Sequence, residues 1–224
     1  PTHSIQSFET TFFENPTESY FVVPAEVRPP SRDQIKPVII APDSIVVEAE
    51  DMLTDVFVGN ANATDASGIK IIINNAPDAF KPGITNLIWI AFDNAGHSST
   101  DTQRITVNAC GHNYSDYNLI EGTSGNDVIS GTDGDDLIFG LAGNDLISGG
   151  LGNDCIFGGL GDDIISGDEG NDTIKGNSGN DILKGQSGSD LIYANSGSDV
   201  IDGGSYHDRC YVDSSKDLLI NCEE

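Results

Sequence analysis

The C-terminal half of the chain repeats one pattern of glycine, polar and apolar positions every nine residues. From Gly122 onward, glycine opens each unit and recurs three places later, aspartate takes the sixth place and an aliphatic residue the eighth. Ten units follow one another in phase over residues 122–211, with Ala194 replacing one opening glycine and Cys210 the last aliphatic residue. The first six residues of each unit favour a turn. The last three, with an apolar residue at the eighth place, favour a short strand. One unit cannot bury that side chain alone, so the pattern predicts a stacked solenoid.

The turns and the sixth-place aspartates also predict a metal. In such a turn the backbone points carbonyl oxygens inward, and the aspartate adds a carboxylate oxygen to them. A set of hard oxygen donors without soft ligands selects calcium. The expected ligands are the sixth-place residues of the ten units: Asp127, Asp136, Asp145, Asp154, Asp163, Asp172, Asp181, Asp190, Asp199 and Asp208.

The repeat resembles the RTX (repeats-in-toxin) family of calcium-binding nonapeptides, most closely in residues 149–157 (GGLGNDCIF) and 158–166 (GGLGDDIIS). The resemblance implies a parallel β-roll with two units in each coil, so that each unit lies over the next but one. Asp127 then pairs with Asp145, and the later aspartates follow in the same way. One ion between each pair of stacked turns gives about eight Ca²⁺ ions as cofactors.

The repeats at the C-terminal end depart from the pattern. Ala194 replaces the opening glycine of its unit, and Tyr206 and His207 alter the last loop. Ser189 and Ser198 stand where earlier units have Asn or Asp. We therefore expect weaker calcium sites at this end.

Residues 38–110 show a different pattern, in which short apolar runs alternate with turns rich in Gly, Pro and Asn. The runs at 38–40, 45–47, 56–58, 70–73, 87–92 and 104–107 predict a small β-sandwich with Trp89 in its core. Residues 61–68, 80–83 and 89–96 resemble the hyalin-repeat (HYR) family of immunoglobulin-like modules. That resemblance implies an extracellular spacer or adhesion module. The expected fold class is all-β: an immunoglobulin-like β-sandwich followed by a calcium-binding parallel β-roll.

Three further segments complete the expected organisation. Residues 1–37 contain six prolines, five of them between positions 16 and 37, and two β-prone stretches, 4–13 and 19–23. This arm is either a strand or cap of the sandwich or a strand donated to a neighbouring subunit. Residues 111–121 are expected to be a linker or the N-terminal cap of the roll, and residues 212–224 its C-terminal cap.

Charge adds support for bound cations. The chain has a formal net charge of -26, and residues 112–224 hold 22 acidic but only 4 basic residues. Such a surface repels nucleic acid and anionic membranes. No apolar run reaches the roughly 18 residues that span a bilayer, so we expect no membrane insertion. Without cations the aspartates repel one another, so folding of the repeats should be coupled to calcium binding.

The four cysteines suit an oxidising compartment. Cys210 and Cys222 bracket the C-terminal tail and are expected to form a disulfide that seals the last coil. A bridge between Cys110 and Cys155 would dock the two domains, whereas reduced thiols remain the alternative. One outer face of the roll carries Phe139 and Phe157. Either the sandwich folds back over this face, or it contacts another subunit.

The sequence gives no sign of an enzyme, because its four histidines are scattered and its paired acids are in phase with the repeat. Two functions remain open. The first is an extracellular structural or adhesive protein that Ca²⁺ folds and stiffens, self-associating through the arm or the Phe139/Phe157 face into a filament or matrix. The second is the C-terminal export-and-folding module of a larger secreted enzyme or toxin. Because the chain begins at Pro1 rather than Met, we expect a trimmed, secreted or surface-bound product. Glycosylation acceptor patterns begin at Asn62, Asn113 and Asn171.

Overall fold

The computed structural model of the protein describes residues 33–213 and 216–223. Within these ranges the chain is built of strands, apart from one turn of 3-10 helix at Tyr114–Asp116. The predicted all-β class is therefore confirmed. The expected N-terminal arm with its two β-prone stretches lies outside the described residues, except for positions 33–37, which have no regular secondary structure. None of the described helices is long and apolar enough to cross a membrane.

The N-terminal domain consists of two sheets. Its strands are β1 (Val38–Ile40), β2 (Ile45–Glu48), β3 (Asn62–Thr64), β4 (Ile69–Asn74), β5 (Gly83–Asp93) and β6 (Ser98–Asn108). Strands β1 and β3 pair antiparallel, while the other four form a sheet in the order β2-β6-β5-β4. Strand β2 runs parallel to β6, and the remaining pairs of this sheet are antiparallel. The prediction of a strand at 56–58 was wrong, since these residues have no regular secondary structure. The Val58 carbonyl accepts a hydrogen bond from the Gln103 side chain rather than from a neighbouring strand.

Trp89 lies in the core between these sheets, as predicted. It is 4% exposed and packs with Ile39, Ala61 and Ala91. Its indole Nε1–H donates to Oε1 of Gln103 over 3.1 Å. This bond satisfies the polar atom that burial would otherwise leave without a partner.

The C-terminal domain is a roll of two six-stranded parallel sheets. Successive strands of this domain alternate between the two sheets, so each sheet contains every second strand. Every pairing joins residues 18 apart, as in Ile156 with Ile174, so two nine-residue units make one coil. The strands are β7 (Asn118–Glu121), β8 (Val128–Ser130), β9 (Asp136–Ala142), β10 (Leu146–Leu151), β11 (Cys155–Leu160), β12 (Ile164–Glu169), β13 (Thr173–Ser178), β14 (Ile182–Ser187), β15 (Leu191–Tyr193), β16 (Val200–Ser205), β17 (Arg209–Tyr211) and β18 (Leu218–Ile220).

The eighth-place side chains form the core of the roll. From Ile138 to Ile201 they are at most 1% exposed and form one continuous ladder between the two sheets. Burying each such side chain stabilises the fold by about 1.5–3 kcal/mol. The sheets extend past the ten repeats at both ends, because Asn118–Glu121 and Leu218–Ile220 pair in register with the neighbouring strands. The segment expected as a linker or cap thus contains the first strand of the roll.

The two domains share a hydrophobic core. Phe139 stacks on Phe157 with ring centroids 4.8 Å apart, and both rings are completely buried beneath the sandwich, where they join the cluster around Leu87 and Ile105. Nζ of Lys175, beside this cluster, donates to a backbone carbonyl of the sandwich over 3.0 Å. The sandwich therefore folds back over the aromatic face. Self-association through the Phe139/Phe157 face was a wrong expectation, because these side chains have no surface left for another subunit.

Two disulfides reinforce this arrangement, and both pairings agree with the prediction. Cys110–Cys155 joins the end of the sandwich to strand β11. Cys210–Cys222 joins strand β17 to the C-terminal tail, and both cysteines pack against the end of the isoleucine ladder. The first bridge fixes the domains to each other, and the second covers the last coil.

Candidate metal centre

Two rows of aspartates follow the edges of the roll. Each aspartate is the sixth residue of its unit and stands where the turn meets the strand. Within a row the members are 18 residues apart, and all except the partly exposed Asp127 are at most 2% exposed. One row contains Asp127, Asp145, Asp163, Asp181 and Asp199, and the other contains Asp136, Asp154, Asp172, Asp190 and Asp208. All ten predicted ligands therefore lie in the two stacks, one coil apart.

One oxygen of each buried aspartate holds the stack together. From Asp145 to Asp208, Oδ1 accepts a hydrogen bond from the backbone N–H of the aspartate one coil earlier. The bond from Asp154 to Asp172, for example, is 2.8 Å long, and the seven equivalent bonds measure 2.8–2.9 Å. The pairing predicted for Asp127 with Asp145, and for the later aspartates, is thus present as a direct contact.

The second oxygen of these aspartates has no partner. In the described part of the chain, the Oδ2 atoms of eight of these ten aspartates are buried without any hydrogen bond: Asp145, Asp154, Asp163, Asp172, Asp181, Asp190, Asp199 and Asp208. A buried acceptor left unsatisfied costs about 1–3 kcal/mol, and native structures rarely tolerate one. Eight in regular array indicate a row of cation-binding positions rather than eight separate defects.

The opening glycines leave space beside these oxygens. A Cβ added to Gly149 would lie 2.4 Å from Oδ2 of Asp154 and 2.6 Å from the carbonyl oxygen of Gly167. The same two kinds of oxygen flank the opening glycine of most other units. A side chain larger than hydrogen would therefore fill the space that a carboxylate and a carbonyl oxygen share. This donor set fits a hard cation such as Ca²⁺.

The first two aspartates differ from the rest. Oδ2 of Asp127 accepts hydrogen bonds from N–H and Oγ1 of Thr123, at 2.7 and 2.9 Å. Oδ2 of Asp136 accepts the equivalent bonds from Thr132 at 2.6 and 3.1 Å. The prediction set apart only the C-terminal units and missed these threonines. The available signal was threonine at the second place, which occurs only in the first two units.

The electrostatics of the rows favour a positive partner. Burial raises the pKa of Asp172 and Asp181 to about 7 and that of Asp154, Asp163 and Asp190 to about 6. Neighbouring carboxylates of the same row raise these pKa values further, while the backbone N–H bond to each carboxylate opposes the rise. In the absence of a metal, these five carboxyl groups therefore bind protons at higher pH than an exposed aspartate does.

A second ladder lies outside the first and was also missed. The fifth-place residue, treated as a plain turn residue, accepts the backbone N–H of the fifth residue one coil later. The bond from Asn171 to Oδ1 of Asn153 is 2.9 Å, and that from Asn180 to Oδ1 of Asp162 is 2.7 Å. This ladder points in the opposite direction to the aspartate ladder, so each turn is tied to both neighbours.

One further aspartate continues the first row. The backbone N–H of Asp199 donates to Oδ1 of Asp217 over 3.1 Å. Asp217 lies nine residues after Asp208 and two before Leu219, which are the spacings of the repeat. The unit around it contains no glycine, and for that reason the glycine-based pattern ended one unit too early.

Comparison with known families agrees with this geometry. The family profile described as RTX calcium-binding nonapeptide repeat (4 copies) matches overlapping windows at residues 121–154, 140–174, 148–183, 157–192 and 175–209. The windows cover the roll and leave the sandwich unmatched. No curated protein matches the sequence of the chain. Residues 121–209 therefore carry RTX calcium-binding repeats folded as a parallel β-roll, and these repeats indicate that the protein binds calcium.

Proposed function

We propose that the protein is an extracellular structural or adhesive protein whose roll is folded and stiffened by Ca²⁺. The observation that carries the proposal is the array of eight buried Oδ2 atoms without partners among the described residues. A bound calcium ion supplies the positive charge that these atoms and the repelling rows need. Because the ligands come from successive coils, each ion links one coil to the next, and binding becomes part of the folding free energy.

The proposed ligands are the ten sixth-place aspartates together with the carbonyl oxygens of the opening glycines. Five stacked turns on each edge leave four gaps between them, and each gap holds one unpartnered Oδ2, from the later aspartate of the pair. This count supports the proposed number of about eight ions. Asp127 and Asp136 contribute less, because threonine N–H and hydroxyl groups already occupy their Oδ2 atoms.

We further propose that the N-terminal domain is an immunoglobulin-like module of the hyalin-repeat type. This proposal is supported by the packing of the two sheets around Trp89 and by the turn segments noted above. The shared core and the Cys110–Cys155 bridge join this module to the roll, so stiffening of the roll extends to the whole described chain. Such a body suits a spacer or scaffold and needs no catalytic group.

An extracellular location is supported by the two disulfides, which persist in oxidising compartments. The acceptor asparagines Asn62, Asn113 and Asn171 are exposed. Nδ2 of Asn171 donates to Asn153 within the fifth-place ladder, so a glycan at this position would compete with the turn.

Calcium dependence is the direct test. We expect far-ultraviolet circular dichroism to show the β-roll in calcium and, in chelator, a marked loss of that signal and a much lower urea midpoint for the roll that remains. An unchanged spectrum in chelator contradicts the proposal. Electron microscopy under both conditions tests assembly: calcium-dependent filaments or sheets support the scaffold, whereas separate monomers in both conditions remove it and leave the export-and-folding module of a larger secreted protein as the alternative.

A further inference from the structure

Three aspartates outside the roll meet at one end of the sandwich. Asp33 lies in the segment that leads into β1, Asp65 in the turn between β3 and β4, and Asp93 at the end of β5. One carboxylate oxygen from each lies within 4.8 Å of the other two. The residues are 28 or more positions apart in sequence, so only the fold brings them together.

The loops around the cluster orient each carboxylate. Asp93 is completely buried, and its Oδ1 accepts the N–H groups of Gly96 and His97 at 2.6 and 2.8 Å. Oδ1 of Asp65 accepts both N–H and Oγ of Ser67 at 2.7 Å. These contacts hold two negative groups side by side before any ligand arrives.

Asp33 supplies the observation that points to a ligand. Its Oδ1 accepts the N–H of Ile35 over 3.0 Å. Its Oδ2 is buried and has no hydrogen-bond partner in residues 33–213 or 216–223. Buried acceptors of this kind are normally satisfied. Here the unsatisfied atom belongs to a group of three carboxyl side chains. Among the described residues, the imidazole of His97 is already bonded to Asp93.

Two carboxyl groups of the cluster, those of Asp65 and Asp93, favour their charged forms. Hydrogen bonds from the hydroxyl and N–H of Ser67 lower the pKa of Asp65. Burial alone would raise the pKa of Asp93, but the bonds from His97 and Gly96 outweigh it and lower that pKa. Adjacent like charges repel in a poorly solvated site, so a cation would relieve a repulsion that the loops enforce.

We propose that Asp33, Asp65 and Asp93 form a separate calcium site that fastens the segment before β1 to the sandwich. The distances suit this ion, because two oxygens that are each about 2.3–2.6 Å from one Ca²⁺ lie at most about 5 Å apart. Mg²⁺, with ligand distances of about 2.0–2.1 Å, would require the oxygens to close to roughly 4 Å. The site is independent of the repeats, because all three aspartates precede residue 121, where the first repeat window begins.

The first test is the number of calcium ions bound by the full chain, measured by equilibrium dialysis. We expect Asp33→Asn and Asp65→Asn each to bind one ion fewer than the natural chain. Asp78→Asn removes the same charge from an exposed position of the same domain and serves as the control, with an unchanged count. If the roll binds no calcium, the natural chain binds one ion and the two variants bind none, so failure of the roll proposal and failure of this one give different counts.

The second test measures how firmly the cluster holds residues 33–37 against the sandwich. In calcium, we expect hydrogen exchange of residues 33–37 to be at least tenfold faster in Asp65→Asn than in the natural chain. Asp65 lies outside that segment, so the effect must pass through the cluster. Near-ultraviolet circular dichroism of Trp89 checks that the variants remain folded. Equal ion counts in all four chains, as expected if Asp33 and Asp65 merely share a proton, would overturn the proposal.

Discussion

Replacing Asp172 by asparagine should change stability in opposite directions with and without calcium. Asparagine keeps Oδ1, so it can still accept the backbone N–H of Asp154, which lies 2.8 Å away. It replaces the unpartnered Oδ2 by an amide group and removes one buried negative charge. The substitution therefore leaves the ladder in place and alters only the part of the side chain that is assigned to the metal.

The expected magnitudes follow from these two roles. In chelator, relief of an unsatisfied buried acceptor should stabilise the roll by about 1–3 kcal/mol. In calcium at a hundred times its dissociation constant, each site that is lost costs about 2.7 kcal/mol. Asp172 borders one gap on each side, so the calcium-dependent part of the free energy of unfolding should fall by roughly 3–5 kcal/mol.

Urea unfolding followed by circular dichroism measures the change in the free energy of unfolding in calcium and in chelator. Asp162→Asn is the matched control, because it removes the same charge from an exposed fifth-place residue whose Oδ1 accepts the N–H of Asn180. We expect its calcium-dependent stabilisation to change little. Equal losses for Asp172→Asn in calcium and in chelator would refute the assignment of Oδ2 to a cation.

Three further outcomes are expected. Gly158→Ala should weaken calcium binding measured by calorimetry, because its Cβ would lie 2.5 Å from the aspartate oxygen of the same unit; Gly125→Ala, whose Cβ meets nothing closer than 3.9 Å, should leave binding unchanged. In chelator, burial raises the pKa of Asp172 to about 7, whereas the unfolded chain releases this proton at about pH 4. The contribution of Asp172 to the free energy of unfolding is therefore fully present below about pH 4 and is lost as the pH rises toward about 7. A melting temperature that rises with pH in chelator would contradict this. Replacing Cys110 and Cys155 together by serine should lower the free energy of unfolding by about 4 kcal/mol in urea, because the bridge closes a separation of 45 residues; an unchanged midpoint would show that the shared core alone docks the domains.

The repeats could be predicted in detail because their contacts are local. Each coil touches only the coils next to it, so the nine-residue spacing, together with the two units per coil that the resemblance implies, determines that Asp154 meets Asp172 and that Ile156 meets Ile174. The same reasoning failed where glycine was missing. Residues 118–121 and 218–220 join the sheets through strand pairing and not through the turn pattern.

The sandwich was harder to predict, because its pairings join distant segments. Strand β5 was expected at residues 87–92 but runs over Gly83–Asp93, since β6 pairs with it along its full length. Residues 56–58 have the composition of a strand but lack a partner strand in the described structure. Composition indicates which residues favour extended backbone, and only the neighbouring strand decides which of them enter a sheet.

By itself, the sequence determined the nine-residue repeat, the rows of carboxylates and the set of oxygen donors that favours calcium, since all three follow from chemistry repeated at short range. Only the tertiary structure decided whether the N-terminal domain or another subunit covers the Phe139/Phe157 face. The residues of an apolar sheet face are the same in both cases, so the sequence cannot distinguish them. The tertiary structure also decided the meeting of Asp33, Asp65 and Asp93, which depends on three loops at one end of the sandwich. Long-range packing of this kind leaves no periodic trace in a sequence.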